Sequence, residues 1–329
     1  MVMGVLFRTF LLIAWLPVLS GLAMAACVTA DCHVALGKAA VVHPPVADRD
    51  CAACHVATGQ PHPGAGSIAP AAKGRDLCLN CHDDPAKGQL FVHPPVADGC
   101  IDCHSPHQSG HAKLLLQPGG KLCLLCHDSV MSGKKVHGPV SAGNCAMCHA
   151  PHASNNQGLL TRPGNALCLA CHTQIDQIIK QANSQHEPVA NGRCWECHAP
   201  HSSDYAPLLR AFYPGEFYVP YREEHFALCF TCHDKNAFEY ERTTEATAFR
   251  NRDQNLHYFH VNMPQKGRVC KNCHGVHGAD QPKLVQSKSP DFGKWQIPVY
   301  FKMTETGGAC AAGCHRPKGY DRLKRISNR

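Results

Sequence analysis

Residues 145–172 run Cys145-Ala-Met-Cys148-His149-Ala-Pro-His152, then Leu159-Leu160, Pro163-Gly164 and Leu167-Cys168-Leu-Ala-Cys171-His172. Twice in this stretch two cysteines stand three apart with a histidine directly after the second. Cysteines so spaced project from one side of a helical turn. Two thiols placed that way reach the two vinyl groups on one edge of a porphyrin. The imidazole of the next residue then faces the iron from the same side, which is the attachment pattern of c-type haem. A single copy would fit a zinc site or a redox dithiol equally well.

The chain does not hold a single copy. Cys-x-x-Cys-His pairs Cys51 with Cys54, Cys78 with Cys81, Cys100 with Cys103, Cys123 with Cys126, and Cys145 with Cys148. It pairs Cys168 with Cys171, Cys194 with Cys197, Cys229 with Cys232, and Cys270 with Cys273. The histidines that follow are His55, His82, His104, His127, His149, His172, His198, His233 and His274. Two wider variants complete the set: Cys310 and Cys314 with His315, and Cys27 and Cys32 with His33. Eleven motifs use all 22 cysteines, so no disulfide, zinc or catalytic-thiol reading remains for them. The expected cofactor is covalent haem c, eleven copies, or ten if Cys27 carries a lipid rather than haem.

The motifs are paired inside an internal repeat. Each unit is introduced by Val-His-x-Pro-Val, as at Val42-His43, Val92-His93 and Val136-His137, with His186-Glu187-Pro188-Val189 as a further copy. After the first motif come Pro-His, as at Pro106-His107, Pro151-His152 and Pro200-His201, then a Leu-Leu pair, a Pro-Gly turn and Leu-Cys opening the second motif. The expected organisation is a signal peptide over 1–25 and a half repeat with one haem over 26–50. Five dihaem repeats follow over 51–99, 100–144, 145–193, 194–269 and 270–329. The spacing from His33 to His43 matches that from His82 to His93, so the half repeat reads as the second half of a unit.

Thirteen of the 24 histidines lie outside the motifs. Ten recur in phase: His43, His93, His137, His186 and His260 before the first motif of each unit, and His62, His107, His152, His201 and His277 after it. His111, His225 and His257 are left over. Eleven irons with two histidines each need one of these, and His257, in a histidine-rich aromatic stretch, is the first choice. Two histidine ligands give lower potentials than a Met/His pair. They also leave no open position for a substrate.

Porphyrins rather than side chains are expected to fill the interior. The fold expected is therefore a mostly irregular chain with short helices at the haem motifs, little β and a haem-filled core. Phe292–Lys302 reads as an added strand. The aromatic stretch from Tyr205 to His260 reads as packing over haem edges. Lys318, Arg322, Lys324, Arg325 and Arg329 read as a solvated basic end. An apolar run over Phe10–Ala25 after Arg8, closing on Ala23-Met24-Ala25, reads as an export signal. The formal charge is +7. Two propionates per haem against one positive ferric centre would turn it negative, which argues against a nucleic-acid partner.

The pattern resembles the doubled-CXXCH family of paired multihaem c-type cytochromes, as found among exported cytochromes of metal-respiring bacteria. It does so through residues such as Cys145-Ala-Met-Cys148-His149-Ala-Pro-His152 leading to Leu167-Cys168-Leu-Ala-Cys171-His172. The resemblance implies an electron carrier of the periplasm or outer envelope, cell surface included, with other redox proteins and an outer-membrane porin as the expected partners. The alternatives it leaves open are a multihaem reductase of a small oxyanion or metal species, and a subunit of an extracellular cytochrome filament. No catalytic residues are expected.

Overall fold

A computed structural model describes Thr29 and residues 32–328; the leader over 1–25 and the Cys27 half of its motif lie outside the described residues. The chain divides into two compact units. One holds the residues up to Lys73 together with Ser105–Leu114; the other holds Gly74–His104 and everything from Leu115 on. Among the described residues no helix is long and apolar enough to cross a membrane.

In the first unit a short helix, Pro44–Ala47, starts directly after His43, and a 3-10 turn, Cys51–Ala53, opens the motif that Cys54 completes. Val41–Val42 pairs antiparallel with Gln108–Ser109, and His55–Ala57 with Ile68–Pro70. The Gln108 side chain ties down the N-terminal half repeat: its Oε1 accepts from the backbone N–H groups of Lys38 and Ala39, at 2.8 and 3.2 Å.

The second unit repeats a small set of pieces. A helix of four or five residues follows each introducing histidine: Pro94–Asp98, Gly138–Ser141 and Glu187–Ala190. Each has proline in its first turn, where a fixed φ suits the helix and a missing N–H costs nothing. First motifs open as 3-10 turns at Cys145–Met147, Cys194–Glu196 and Cys270–Asn272. Second motifs instead hang from short α-turns, Asp76–Leu79, Gly120–Cys123, Asn165–Leu169 and Ala227–Phe230, each carrying the first cysteine. Repeats are stitched by two-residue antiparallel ladders: Phe91–Val92 with Ala153–Ser154, Lys135–Val136 with Ser202–Ser203, and Ser184–Gln185 with Gly278–Ala279.

The C-terminal part departs from the expectation of little β. Lys288–Phe292, Trp295–Met303, Gly307–Ala312 and Lys318–Asp321 form a four-stranded antiparallel meander. The strand expected over 292–302 is present as Trp295–Met303, with Phe292 closing the preceding strand across a turn at Gly293, φ +64. Cys310 consequently sits on a strand rather than a helical turn. A side-chain core also exists. Leu209, Tyr213, Val219, Phe226, Val261 and Val269 are buried together, within and just beyond the aromatic stretch. Apolar burial there is the main driving term.

The basic tail is solvated, with Lys318, Lys324 and Arg325 exposed, but its backbone is tethered. The side chain of the buried Asn251 donates to the Ile326 carbonyl at 2.8 Å, and its Oδ1 accepts the Ile326 N–H at 2.9 Å. Arg325 pairs with Asp253 at 2.9 Å, and the Arg322 N–H donates to Thr306 O at 2.9 Å.

Candidate metal centres

The fold brings the histidines together in pairs. In the first unit His33 faces His62 with ring centres 6.1 Å apart, and His55 faces His107 at 5.9 Å. In the second unit His93 faces His127, His104 faces His152 and His137 faces His172, each at 6.1 Å. His149 faces His201 at 5.8 Å, His186 faces His233 at 6.0 Å, His198 faces His277 at 6.2 Å, and His260 faces His315 at 6.5 Å. Every pair joins one motif histidine to one of the ten phased histidines.

These separations are too long for rings in face contact. Two metal–nitrogen bonds of about 2 Å, with about 1 Å more from each nitrogen to its ring centre, put two imidazoles on one metal roughly 6 Å apart. Among the described residues no cluster of three or more His, Cys, Asp or Glu could hold a bare ion. The donor set at each site is therefore two imidazoles with a pair of thiols at one side. That set fits a haem, whose own nitrogens complete the coordination.

The pairing follows a rule that crosses the repeats. A second-motif histidine meets the histidine that introduces its own repeat: His127 with His93, His172 with His137, His233 with His186, His315 with His260. A first-motif histidine meets the histidine that follows the first motif of the next repeat: His55 with His107, His104 with His152, His149 with His201, His198 with His277. The ladders enforce this, since each joins the residues before an introducing histidine to those after the corresponding histidine of the following repeat. His93 N–H donates to His152 O and His137 N–H to His201 O, both at 2.9 Å. His33 of the N-terminal half repeat takes His62 as partner, in the manner of a first motif, while Cys32 is exposed like the second cysteines of the second motifs.

Backbone carbonyls set the ring orientation. His149 Nδ1–H donates to Gly158 O at 2.8 Å, His198 Nδ1–H to Pro207 O at 3.2 Å, and His274 Nδ1–H to Lys283 O at 3.1 Å. A carbonyl only accepts, so the proton lies on Nδ1 and the Nε2 lone pair is left for a metal. The acceptors belong to the Leu-Leu segment of the repeat. There the backbone enters the left-handed region at non-glycine residues: Lys113 and Leu114, Leu159, Leu208, and Lys283 and Leu284, with φ between +56 and +58. This cradle is made of main chain and was not foreseen from the residue pattern, although the recurring Leu-Leu pair marked its place. Distal rings are held likewise: His43 Nδ1–H donates to Pro106 O at 2.9 Å and His260 Nδ1–H to Leu256 O at 2.6 Å. Burial pushes His107, His186, His201 and His277 below the usual imidazole range. It thereby favours the neutral form that can act as a ligand.

The eleventh partner expected was His257. It is half-buried between Phe238 and Phe249, with ring centres 5.1 Å away on both sides, and its Nδ1 meets Thr247 Oγ1 at 2.9 Å. Burial, aided by the charges of His274 and His260, pushes it down to about 4. It therefore lies within electrostatic reach of His274, the motif histidine for which the phase rule provides no next repeat. His225 packs on Phe212 and donates to Pro220 O at 2.9 Å; His111 is half-buried. His82 stands exposed in the turn after its motif.

The described cysteines are free of disulfides. A haem-filled interior would lead one to expect every attachment thiol inside, and the second motifs depart from that. Their second cysteines, Cys81, Cys126, Cys171, Cys232 and Cys314, are exposed. In the first motifs the equivalent Cys54, Cys103, Cys148, Cys197 and Cys273 are half-buried. The reason is local. The α-turns at Cys78, Cys123, Cys168 and Cys229 end before the second cysteine, so Cys81, Cys126, Cys171 and Cys232 fall in the open turn beyond.

In the second unit successive motifs touch alternately. First cysteines lie close enough to act on one another's thiols: Cys123 with Cys145, Cys168 with Cys194, and Cys229 with Cys270. Second cysteines come within electrostatic reach. Cys103 feels Cys126, Cys148 feels Cys171, Cys197 feels Cys232, and Cys273 feels both Cys310 and Cys314. The attachment points thus form one continuous zigzag in chain order from Cys100 to Cys314. Where Cys123 meets Cys145 the backbones also meet: a Cβ on Gly120 would lie 2.6 Å from Gly143 Cα.

A family model described as the doubled CXXCH motif matches residues 43–87, 93–132, 137–177 and 186–238. Its copies begin at His43, His93, His137 and His186, the introducing histidines. No curated protein matches the chain.

Proposed function

The chain belongs to the doubled-CXXCH family of multihaem c-type cytochromes, which work in electron transfer, and on that premise we propose that it is an exported undecahaem conductor of anaerobic or extracellular respiration. Haem c supplies a reversible one-electron carrier at each attachment site. The observation that carries the reading is the set of facing histidine pairs at 5.8–6.5 Å, each beside a pair of motif cysteines. The thiols would anchor the haems, the motif histidines and their partners would supply two imidazoles to each iron, and the Nδ1–H bonds hold those imidazoles in orientation. Because the attachment points from Cys100 to Cys314 follow one another in chain order, electrons would pass along this part of the chain without a substrate-binding step.

In this reading Cys27 and Cys32 hold the first haem, Cys51 and Cys54 the second, and Cys78 and Cys81 the third. His257 serves His274, and the protein works in the periplasm or at the outer membrane. Its partners there are other redox proteins, with an outer-membrane porin as a housing.

The test is intact mass of the exported protein combined with a redox titration. Eleven haems and a broad, overlapping low-potential wave, unaltered by nitrite, hydroxylamine or sulfite, are expected. Rapid turnover of such a substrate at a high-spin haem would overturn the reading.

A further inference from the structure

Five arginines converge on one cleft of about 590 Å³ near the C-terminus: Arg242, Arg250, Arg252, Arg322 and Arg325, with Asp253 among them. They come from three separate stretches, and the fold holds them in place. Arg250–Asn251 pairs with Gln254–Asn255, so Arg252 and Asp253 form the tip of a hairpin. Arg252 sits in the left-handed region with φ +55, and its N–H donates to Asp321 O at 2.6 Å. Arg250 Nη1 donates to the carbonyl of Arg252 and, at 3.0 Å, to that of Arg322, which clamps hairpin to tail. Arg322 is fixed in turn by donating to Glu305 O at 2.8 Å.

Asp253 bridges Arg242 at 2.6 Å and Arg325 at 2.9 Å. Its own backbone N–H, then Arg325 and Arg242, hold its carboxyl below the usual range, so it stays charged. Asp253, and Asp321 beside Arg322 just behind the lining, offset two of the five guanidiniums, and a net excess of three positive charges remains. Like charges gathered this closely repel one another. Arg250 Nε is also buried without a partner. A folded chain that spends backbone hydrogen bonds on such an arrangement presents a site for several negative charges at once.

The place is as informative as the charge. Phe249, beside Arg250, stacks on His260 with ring centres 5.9 Å apart and meets Tyr320 edge-on at 5.0 Å. His260 faces His315. The cleft therefore lies one residue away from the last histidine pair of the zigzag.

We infer that this arginine cleft docks a carboxylate-rich surface of a redox partner protein at the C-terminal end of the conductor. The guanidinium fork matches carboxylates two oxygens at a time. The side chains of Arg242 and Arg325 remain 69% and 52% exposed, so they reach outward to a surface rather than lining an enclosed pocket. Clustered charge of this kind raises encounter rates and fixes orientation, and it weakens with salt. The inference rests on the electron-transfer reading, because it names the partner at one end of that path.

The experiment uses the haem-loaded protein and a fluorescently labelled hexaglutamate peptide. At low ionic strength the wild type binds the peptide, with affinity falling steeply as salt rises. The R252Q/R325Q variant binds at least tenfold more weakly, with a flatter salt dependence, while R252K/R325K retains most of the binding. Haem content and low-spin spectra, unchanged in all three, show that folding is intact. Equal peptide affinity in wild type and the Gln variant overturns the inference. So does inorganic phosphate binding more tightly than the peptide, which would mark a small-oxyanion site instead. Electron exchange with ferricyanide and with hexaammineruthenium is measured alongside. If exchange persists while peptide binding fails, the docking inference alone falls; if exchange itself is absent, the electron-transfer reading falls.

Discussion

The backbone N–H of His93 donates to the carbonyl of His152 at 2.9 Å, and the two imidazoles turn to different partners, His127 and His104. One main-chain hydrogen bond thus couples the distal ligands of both motifs of a single repeat. One ligand comes from that repeat and the other from the next.

Because the coupling is main-chain, removing a distal ring leaves the ladder standing. His201→Ala is expected to keep every haem attached and to convert one iron, that held by His149, from low to high spin. His111→Ala is expected to leave all irons low spin. Electron paramagnetic resonance of the oxidised protein counts the two classes. A fully low-spin H201A protein would falsify the pairing.

The close approach of Gly120 and Gly143 sets the separation of Cys123 and Cys145. Gly120→Ala pushes a methyl group into the Gly143 backbone, a misfit of the kind that costs about 1–3 kcal/mol. Gly138→Ala meets nothing within 4 Å and should leave stability unchanged or slightly raised. Denaturant unfolding of the two loaded variants separates them.

The Gly158 carbonyl makes the His149 imidazole a stronger donor to ferric iron, which lowers the potential at that site. Leu159→Pro cannot take up the φ of +56 that aims this carbonyl, whereas Leu159→Gly can. The proline variant is expected to raise one potential in the redox titration by about tenfold in reduction equilibrium, roughly 59 mV for a one-electron couple. The glycine variant should titrate like the wild type. A proline variant with unmoved potentials would show that this bond orients the ring without tuning the iron.

Asn251 holds the tail through two hydrogen bonds to Ile326. Asn251→Ala should free residues 322–328, with a local loss of about 1–3 kcal/mol. Hydrogen exchange at Ile326 and early proteolytic clipping beyond Asp321 are the signals. Protection equal to that of the wild type would mean that the tail is held elsewhere.

The attachment sites were legible in the sequence because their chemistry is local: Cys168, Cys171 and His172 declare themselves within five residues. The unequal exposure of their thiols was not. Cys54 and Cys81 look alike as letters, and only the turn that carries each decides which is covered. Nine of the ten phased histidines were legible as partners of motif histidines through their phase. Their individual partners were not, since the ladder from Val136 to Ser202 spans a whole repeat and no short window contains both ends. The cradle at Leu159 escaped because carbonyls carry no residue identity. The strand Gly307–Ala312 escaped because small residues lack β-propensity. Gly307 is nevertheless required there, since a Cβ would overlap the Tyr320 carbonyl. The core around Phe226 was underestimated because its members are scattered from Leu209 to Val269.

The borrowing of distal histidines between repeats also has a direction in time. A chain threaded outward from its N-terminus presents His104 well before His152 has emerged, so a first-motif centre stays incomplete until the following repeat arrives. Second-motif centres such as His127 already have His93 behind them and can close at once. On the export reading proposed above, maturation would run as a ratchet, each repeat that emerges finishing the one ahead of it. A chain halted between repeats would carry its half-finished first-motif centre at the trailing edge.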